Sequence, residues 1–191
     1  SPSIYRHEED TKATKALEKA YPFQGLARLL SKEIAERVFK IRNSASSILV
    51  GKDQFPDLYE TYLRVVERLG IEKPPPLYLA RGSINAFTSG VEEPFVVLHA
   101  GAMSQLSQTE LEFVIGHELG HIKFDHVLYH MIARMAMAQG VLLSPNALLG
   151  RLLSSGAQMM ITEWAQKAEL SCDRAGLLAC QDQDAAFRLL L

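Results

Sequence analysis

One stretch of this sequence, from Val114 to His121, restricts the fold more than any other. It contains His117 and Glu118, followed three residues later by His121. On an α-helix, residues four apart lie one turn apart on the same face, so both imidazoles can bind one metal ion. Zinc held by two histidines and a third protein ligand keeps a position for water, and a neighbouring carboxylate can accept that water's proton. The pattern favours a metalloprotease site, with two partly buried structural histidines as the alternative.

The flanking residues predict that this stretch is helical. Ser107 and Glu110 have the spacing of a helix N-cap and the acidic residue that completes a capping box. Leu106, just before the cap, can pack back onto the first turn. The apolar residues that follow have the spacing of a helix with one buried face, namely Leu111, Val114, Ile115, Leu119 and Ile122. The two histidines are therefore expected well inside a helix.

A third metal ligand is expected from the helical pattern of residues 163–178. Glu169 and Asp173 lie four residues apart there, and two carboxylates one turn apart repel each other unless a positive charge lies near them. A zinc site supplies that charge, with Glu169 as the third ligand and Asp173 as acceptor for the outer N–H of a ligand histidine. A solvated acidic face near Arg174 is the alternative. The upstream histidine motif favours the metal site.

Four sequence blocks, in this order, resemble one family of peptidases. The blocks are Ile84–Gly90, Val96–Leu98, Thr109–Leu111 leading into the histidine motif, and Ser171–Ala175. They are similar to the gluzincin zinc metalloproteases that include the CAAX prenyl endopeptidase and the heat-shock protease HtpX. The resemblance covers about residues 75–180. It implies a zincin-like fold, one Zn²⁺ per chain, Glu118 as catalytic base, and a protein or peptide substrate.

The same resemblance implies where the substrate binds. Three short β-type runs precede the histidine motif, at residues 77–80, 84–88 and 95–99. In the resembled family an edge strand pairs with the extended substrate backbone, which makes Asn85, Ala86 and Phe87 the candidate substrate contacts. Such main-chain pairing tolerates many substrate sequences. An equally simple interpretation places Phe87 in the core and Asn85 in a turn.

The chain as a whole is predicted to be α+β and mainly helical, with a small β-sheet ahead of the active-site helix. Helical spacing recurs in three stretches of an N-terminal region (residues 1–72), namely 8–20, 24–43 and 55–69. A proline-rich boundary then leads into the metallopeptidase domain, residues 73–191. The boundary is too short for a flexible linker, so the two regions should pack as one unit. Partner docking by the N-terminal helices is the less favoured alternative.

Composition limits the partners and the compartment. The net charge is −2 and 48% of the 191 residues are hydrophobic, so the chain can bury a core and has no basic surface for nucleic acid. No signal peptide is recognisable. The longest uncharged run, residues 135–150, is shorter than the roughly 20 residues of a transmembrane helix. We expect a cytoplasmic protein or one peripheral to a membrane, and the oligomeric state stays open.

The apolar interval between the two halves of the site, residues 127–162, is rich in methionine. It predicts a helical hairpin, broken near Pro145, that covers the cleft or contacts a membrane surface peripherally. His126 lies five residues beyond His121, a spacing that is expected to rotate it off the ligand face. Neither His126 nor His130 receives a role from the sequence.

The two cysteines do not predict a disulfide. Cys172 and Cys180 are eight residues apart on one predicted helix, roughly 12 Å, which is too far for an S–S bond. A buried core cysteine is favoured for Cys172 over a metal thiolate. A hydrogen-bond donor for the oxyanion is also expected in such a site, but the sequence does not locate it.

The main prediction is therefore a zinc-dependent endopeptidase with His117, His121 and Glu169 as metal ligands. Two other functions stay open. One is a non-peptidase zinc amidohydrolase that acts on small amides. The other is a non-catalytic, zinc-stabilised scaffold or chaperone-like module.

Overall fold

The computed structural model describes residues 4–20, 47–137 and 155–190. Within these ranges the chain forms seven helices and four strands, numbered here in chain order: α1 Glu8–Ala20, β1 Ser47–Leu49, α2 Pro56–Arg68, β2 Leu77–Ala80, β3 Ala86–Ser89, β4 Phe95–His99, α3 Ala100–Gln105, α4 Gln108–Lys123, α5 Val127–Met137, α6 Ser155–Cys180 and α7 Gln183–Leu190. The predicted mainly helical α+β fold is confirmed. The helix predicted at residues 24–43 and the break near Pro145 lie outside the described residues.

Local sequence sets the ends of α2 and α4. Pro56 occupies the start of α2, where its missing N–H removes no helical hydrogen bond. Gly70 follows the end of α2 with φ 60°, a left-handed conformation that glycine adopts without strain. The Ser107 hydroxyl accepts the Glu110 N–H, while the Glu110 carboxylate accepts the Ser107 backbone N–H at 2.9 Å. The predicted capping box of α4 is thus confirmed.

The sheet has the strand order β1-β2-β4-β3. β2 and β4 are parallel, whereas β1 pairs with β2 and β3 pairs with β4 in antiparallel fashion. The strand predicted at residues 84–88 begins two residues later, at Ala86. The Gly82 carbonyl accepts the Gly101 N–H at 3.0 Å, so the chain just before β3 lies against the start of α3. β3 is consequently a short strand at the edge of the sheet.

Two apolar clusters hold the helices on the sheet. The larger cluster lies between the sheet and helices α2, α4 and α6, and includes the fully buried Val65, Leu98, Ile115 and Leu119. The second cluster surrounds Trp164 of α6 and joins α1 and α5 to it. Helices from both sides of the proline-rich segment therefore pack on α6. The division into regions 1–72 and 73–191 stays a prediction.

α4 is buried on more than one face, which the single apolar stripe did not predict. Glu112, outside that stripe, is buried and forms ion pairs with Arg64 at 3.2 Å and Arg68 at 2.6 Å, both on α2. A buried carboxylate is tolerated when charged donors satisfy it. These pairs attach α2 to the side of α4 and leave another face for α6.

The backbones of α4 and α6 approach closely because glycines lie at their contact. A Cβ atom at Gly116 would lie 2.3 Å from the Cβ of Ala179, and one at Gly120 would lie 3.0 Å from the Cβ of Ala175. The first of these contacts is shorter than real Cβ atoms adopt and the second is unusually tight, so larger residues would push the helices apart. The glycines therefore hold the side chains of α6 next to those of α4.

Substitution of Gly116 by alanine should lower stability. We expect overpacking against Ala179 to cost about 1–3 kcal/mol, offset only in part by the better helix propensity of alanine, about 1 kcal/mol. Thermal unfolding of Gly116→Ala and of the double variant with Ala179→Gly measures this, and the double variant should recover part of the loss. Gly51→Ala is the control, because nothing lies within 4 Å of its added Cβ. An unchanged melting temperature in Gly116→Ala would contradict the close helix contact.

Candidate active site

α4 and α6 together bring the four predicted metal-site residues into one cluster. The Nε2 atom of His117 lies 3.1 Å from Oε2 of Glu169, and the Nε2 atom of His121 lies 3.8 Å from Oε1 of Glu169. The Nδ1 atom of His117 lies 3.0 Å from Oδ1 of Asp173. Residues 52 positions apart in the sequence thus meet because the two helices pack side by side.

The donor atoms fit a tetrahedral metal ion. Nitrogen and oxygen ligands of zinc lie about 2.0–2.2 Å from the metal, which places neighbouring ligand atoms roughly 3.3 Å apart. The separations of 3.1 and 3.8 Å lie on either side of this value. Both histidines direct Nε2 towards Glu169, because Nδ1 of His117 contacts Asp173 and Nδ1 of His121 lies 3.3 Å from Sγ of Cys172. Each imidazole therefore has one nitrogen facing the cluster and one facing a supporting residue.

The charges of the cluster require a positive partner. Burial opposes a charge on His117, but the hydrogen bonds to Asp173 and Glu169 outweigh burial and raise the pKa of His117 to about 10. Burial also opposes the charge on Glu169, yet the hydrogen bond to His117 lowers the pKa of Glu169. A proton on His117 thus balances the carboxylates in the metal-free protein, at the position where a metal cation would do so.

A cavity of about 230 Å³ opens onto this cluster. Its wall is formed by residues of β3, α4, α5 and α6, namely Ala86, Phe87, Thr88, His117, Glu118, His121, Val127, His130 and Glu169. The Thr88 hydroxyl lies 2.8 Å from Oε2 of Glu118 and 2.9 Å from the Glu118 carbonyl, both of which can accept its hydrogen. Thr88 therefore fixes the Glu118 carboxylate beside His117, His121 and Glu169, a contact that sequence analysis missed.

The three predicted substrate contacts occupy different positions. Ala86 and Phe87 lie on β3 and line the cavity. Asn85 precedes β3 and is exposed, and its carbonyl accepts the His99 N–H at 2.9 Å. The edge strand and the cavity are therefore adjacent, with Asn85 beyond the cavity wall.

The expectation that His126 rotates away from His121 was wrong, because α4 ends before it. Asp125 adopts a left-handed φ of 60°, and the His126 N–H donates to the His121 carbonyl at 2.9 Å. The chain folds back at this turn, so the His126 ring lies 5.7 Å from the His121 ring. His130, on α5, lies 4.5 Å from the His121 ring, and its Nε2 is 3.7 Å from Oε1 of Glu169. An aspartate with a left-handed backbone conformation is difficult to predict from sequence, because non-glycine residues rarely adopt a positive φ.

Cys172 is a second candidate for the third ligand, but its environment argues against it. Donor atoms of His117, His121 and Cys172 lie within 4.8 Å of one another. The thiol is fully buried and lies beside Nδ1 of His121, on the side away from Glu169. Burial raises the pKa of the Cys172 thiol well above its usual range, whereas a metal ligand must be a thiolate. Both cysteines are free thiols, as predicted.

The apolar interval 127–162 is only partly described. Among the helices of residues 4–20, 47–137 and 155–190, none combines the length and apolar character needed to cross a bilayer. Residues 138–154 lie outside these ranges. Peripheral membrane contact through the interval stays a prediction.

Comparison with known proteins agrees with the class of site that this geometry defines, a metallopeptidase site. A family model described as "Peptidase family M48" matches residues 52–191. The chain belongs to peptidase family M48, and the predicted family is confirmed. The family is one of metallopeptidases, which agrees with a cluster of side chains that could hold a metal ion.

The relatives found among curated proteins are longer than this chain. The plastoglobule-localized metallopeptidase 48 (chloroplastic) of Arabidopsis thaliana is 30% identical over 190 residues, which cover 98% of this chain and 54% of that protein. A protease HtpX homologue of Gemmatimonas aurantiaca is 36% identical over 95 residues, which cover 49% of this chain and 34% of that protein. Another, from Methanocaldococcus jannaschii, is 29% identical over 123 residues, which cover 63% and 37%. The chain thus spans about half the length of the first relative and about a third of the others. No solved structure matches the chain significantly.

Metal uptake should be coupled to loss of a proton from His117. Because its pKa is raised to about 10, His117 is protonated in the metal-free protein at neutral pH, and a metal ion must displace that proton. The affinity for Zn²⁺, measured by chelator competition, should increase up to about tenfold per pH unit between about pH 7 and 9. Asp173→Asn should make this dependence shallower by lowering the pKa of His117. An affinity independent of pH would contradict the assignment.

The stability of the metal-free protein should change in the opposite direction. The proton on His117 stabilises the fold fully below the ordinary histidine pKa of about 6.5. This contribution is lost as the pH rises through the folded-state pKa of about 10. The melting temperature of the metal-free protein therefore serves as an internal control for the same titration.

Proposed function

We propose that the chain is a zinc-dependent endopeptidase. The observation that carries this proposal is the convergence of His117, His121 and Glu169 on one wall of the cavity that Glu118 also lines. Two imidazoles and one carboxylate are a donor set that suits catalytic zinc, with a fourth position left for water. One zinc ion per chain would be held by His117, His121 and Glu169. Family membership supports the metal and the class of substrate.

The residues around the metal ligands have separate tasks. When bound, the zinc ion supplies Lewis acidity that polarises the scissile carbonyl and lowers the pKa of water. Glu118 accepts a proton from the attacking water and passes it to the leaving amine. Thr88 holds the Glu118 carboxylate, and Asp173 holds the proton of His117 on Nδ1, which leaves Nε2 for the metal.

Substrate binding is assigned to β3. β3 pairs with β4 along one edge, and no other strand in the described part of the chain pairs with it. Its residues Ala86 and Phe87 line the cavity, so an extended peptide added to this edge would pass Glu118. Asn85 precedes the strand and would contact the substrate only outside the cavity. Recognition through the main chain supports broad sequence tolerance.

The donor that the sequence did not locate is assigned to His130. Among the described polar residues of the cavity wall, His117, His121 and Glu169 are assigned to the metal, and Thr88 is hydrogen-bonded to Glu118. His130 also lies on the described part of the wall, and its imidazole can donate an N–H. Its Nε2 lies 3.7 Å from the ligand carboxylate, close enough to reach the oxyanion of a substrate carbonyl.

His130→Ala should lower kcat by about 10²-fold or more, the effect of removing one oxyanion donor. The KM and the zinc affinity should stay close to wild type, because the residue acts on the transition state and does not bind the metal. Steady-state kinetics with a quenched peptide, together with chelator competition, separates these quantities. A large loss of zinc affinity would instead make His130 a ligand or a support for one.

Glu118→Gln should abolish hydrolysis and keep the zinc. Loss of a general base removes about 10²–10⁴-fold of the rate, while the metal ligands are untouched. Metal content by mass spectrometry and peptide cleavage are the measurements. Glu60→Gln, an exposed carboxylate on α2, is the matched control and should cleave like wild type. Retained cleavage in Glu118→Gln would refute the mechanism, and a wild-type chain that binds no zinc would refute the function.

The alternatives give different results in the same assays. A zinc amidohydrolase would cleave small amides and no member of a peptide panel. A zinc-stabilised scaffold would lose thermal stability on chelation and cut neither class. Peripheral membrane contact through residues 127–162 is supported only by the exposure of Met159, which is 70% accessible.

A further inference from the structure

A buried polar network joins α1 to the side of the metal cluster that faces away from the cavity. Its centre is Asp10, whose side chain is fully buried. The Asp10 carboxylate accepts hydrogen bonds from Arg6 Nε at 2.8 Å, Thr14 Oγ at 3.1 Å and Ser171 Oγ at 2.5 Å. His126 Nε2 lies 3.1 Å from Oδ2 of Asp10, and His126 is also fully buried. α1 lies outside residues 52–191, the part of the chain that matches the family model.

The chemistry of Asp10 determines the tautomer of His126. Burial opposes the charge on Asp10, but hydrogen bonds from His126 and Arg6 outweigh burial and hold the pKa of Asp10 well below its usual range. A neutral His126 carries its one proton on Nε2, which donates to Asp10, and Nδ1 is left as an acceptor.

Successive hydrogen bonds through Cys172 extend this donor and acceptor order to His121. Sγ of Cys172 lies 3.6 Å from Nδ1 of His126 and 3.3 Å from Nδ1 of His121. Because Nδ1 of His126 can only accept, the Cys172 S–H donates to it, and the sulfur accepts the Nδ1–H of His121. His121 then has its proton on Nδ1. Its Nε2 faces Glu169 without a proton, as a metal ligand requires.

We propose that Asp10 is a positioning residue for His121, and that it acts through His126 and Cys172 to hold the metal-binding tautomer. The inference rests on the proposed role of His121 as a zinc ligand. Each of the two histidines then has an aspartate that fixes its tautomer. Asp173 contacts His117 directly, whereas Asp10 acts on His121 through the side chains of His126 and Cys172. α1 is then part of the metal site's framework as well as a packing element.

The relay can be tested first in the metal-free protein, where no zinc chemistry is needed. Long-range ¹H–¹⁵N NMR spectra of histidine-labelled protein at about pH 8 distinguish the two neutral tautomers. We expect Nε2–H for His126 and Nδ1–H for His121 in the wild type. In Asp10→Asn the carboxamide can both donate and accept, so the His121 Nδ1–H population should fall. An unchanged His121 tautomer in Asp10→Asn would overturn the proposal.

Zinc affinity supplies a second readout and a matched control. Asp10→Asn should bind Zn²⁺ about 10-fold more weakly, the lower end of the range for residues that orient metal ligands. Leu17→Ala loosens the same helix in the cluster around Trp164 without contacting Asp10, so its affinity should stay near that of wild type. If Leu17→Ala weakens zinc binding as much as Asp10→Asn does at a similar loss of melting temperature, the effect is loosened packing and the proposal fails.

Cys172 offers a test that does not depend on α1 folding correctly. Cys172→Ser keeps a donor and an acceptor between His126 and His121, whereas Cys172→Ala removes both. We expect Ala to weaken zinc binding about 10-fold and Ser to restore most of the loss. Equal affinities for Ala and wild type would overturn the relay. The two proposals can fail separately. The proposed function fails if the wild type binds no zinc. The role of Asp10 is still tested in that case, because the histidine tautomers are measured in the metal-free protein.

Discussion

The close contact of α4 and α6 is the constraint on which the rest of the site depends. The proposed metal ligands come from both helices, and their side chains can meet around one ion only when the two backbones approach closely. Gly116 and Gly120 permit this approach, because an added Cβ would collide with Ala179 or Ala175. Glycine inside a helix costs about 1 kcal/mol relative to alanine. The close contact that forms the site therefore lowers the intrinsic stability of the helix. The apolar clusters that α6 shares with the sheet and with α1 offset that loss by burying their side chains on both sides of the contact.

Much of the candidate site could be predicted because helical periodicity places residues reliably within one element. His117 and His121 on α4, and Glu169 and Asp173 on α6, follow from spacing alone, and the chemistry of a zinc site then indicated that the two pairs should meet. The sheet was also predictable from its β-type runs, to within two residues at the start of β3. His126 was misplaced because the helix was extended through Asp125, whose left-handed conformation turns the chain back. The contact between Asp10 and His126 spans 116 residues and had no local pattern. An alternating polar helix such as α1 predicts a solvated face, whereas tertiary contacts with Ser171 and His126 accompany the burial of its one aspartate.

The buried network around Asp10 has a chemical asymmetry that packing alone does not explain. A helix that served only to cover Trp164 would be better stabilised by another apolar side chain than by a carboxylate, since desolvation of an ion is costly unless every lone pair is satisfied. Asp10 is satisfied by donors from Arg6 just before α1, from Thr14 of α1, from α6 and from the turn before α5. The carboxylate thus joins three segments that all border the metal cluster. Because a carboxylate can only accept hydrogen bonds, it also gives the chain of contacts towards His121 a direction, which a serine or an amide at this position would not.

The charge balance of the cluster helps to distinguish a structural role of a bound metal ion from a catalytic one. In structural zinc sites the ion supplies the free energy that folds the domain, and the metal-free chain is unfolded. Here the clusters around Ile115 and Trp164 bury apolar side chains without involving the ligands, and a proton on His117 compensates Glu169 and Asp173. The fold therefore has its own core and its own counter-charge. The carboxylates thus have a positive partner before any metal ion binds, and a bound ion would add its own stabilisation by mass action. A metal ion held by these residues would lie next to the cavity, beside a carboxylate that Thr88 holds in place. A core that forms without the proposed ligands, together with a cavity beside them, favours a catalytic site over a zinc-stabilised scaffold.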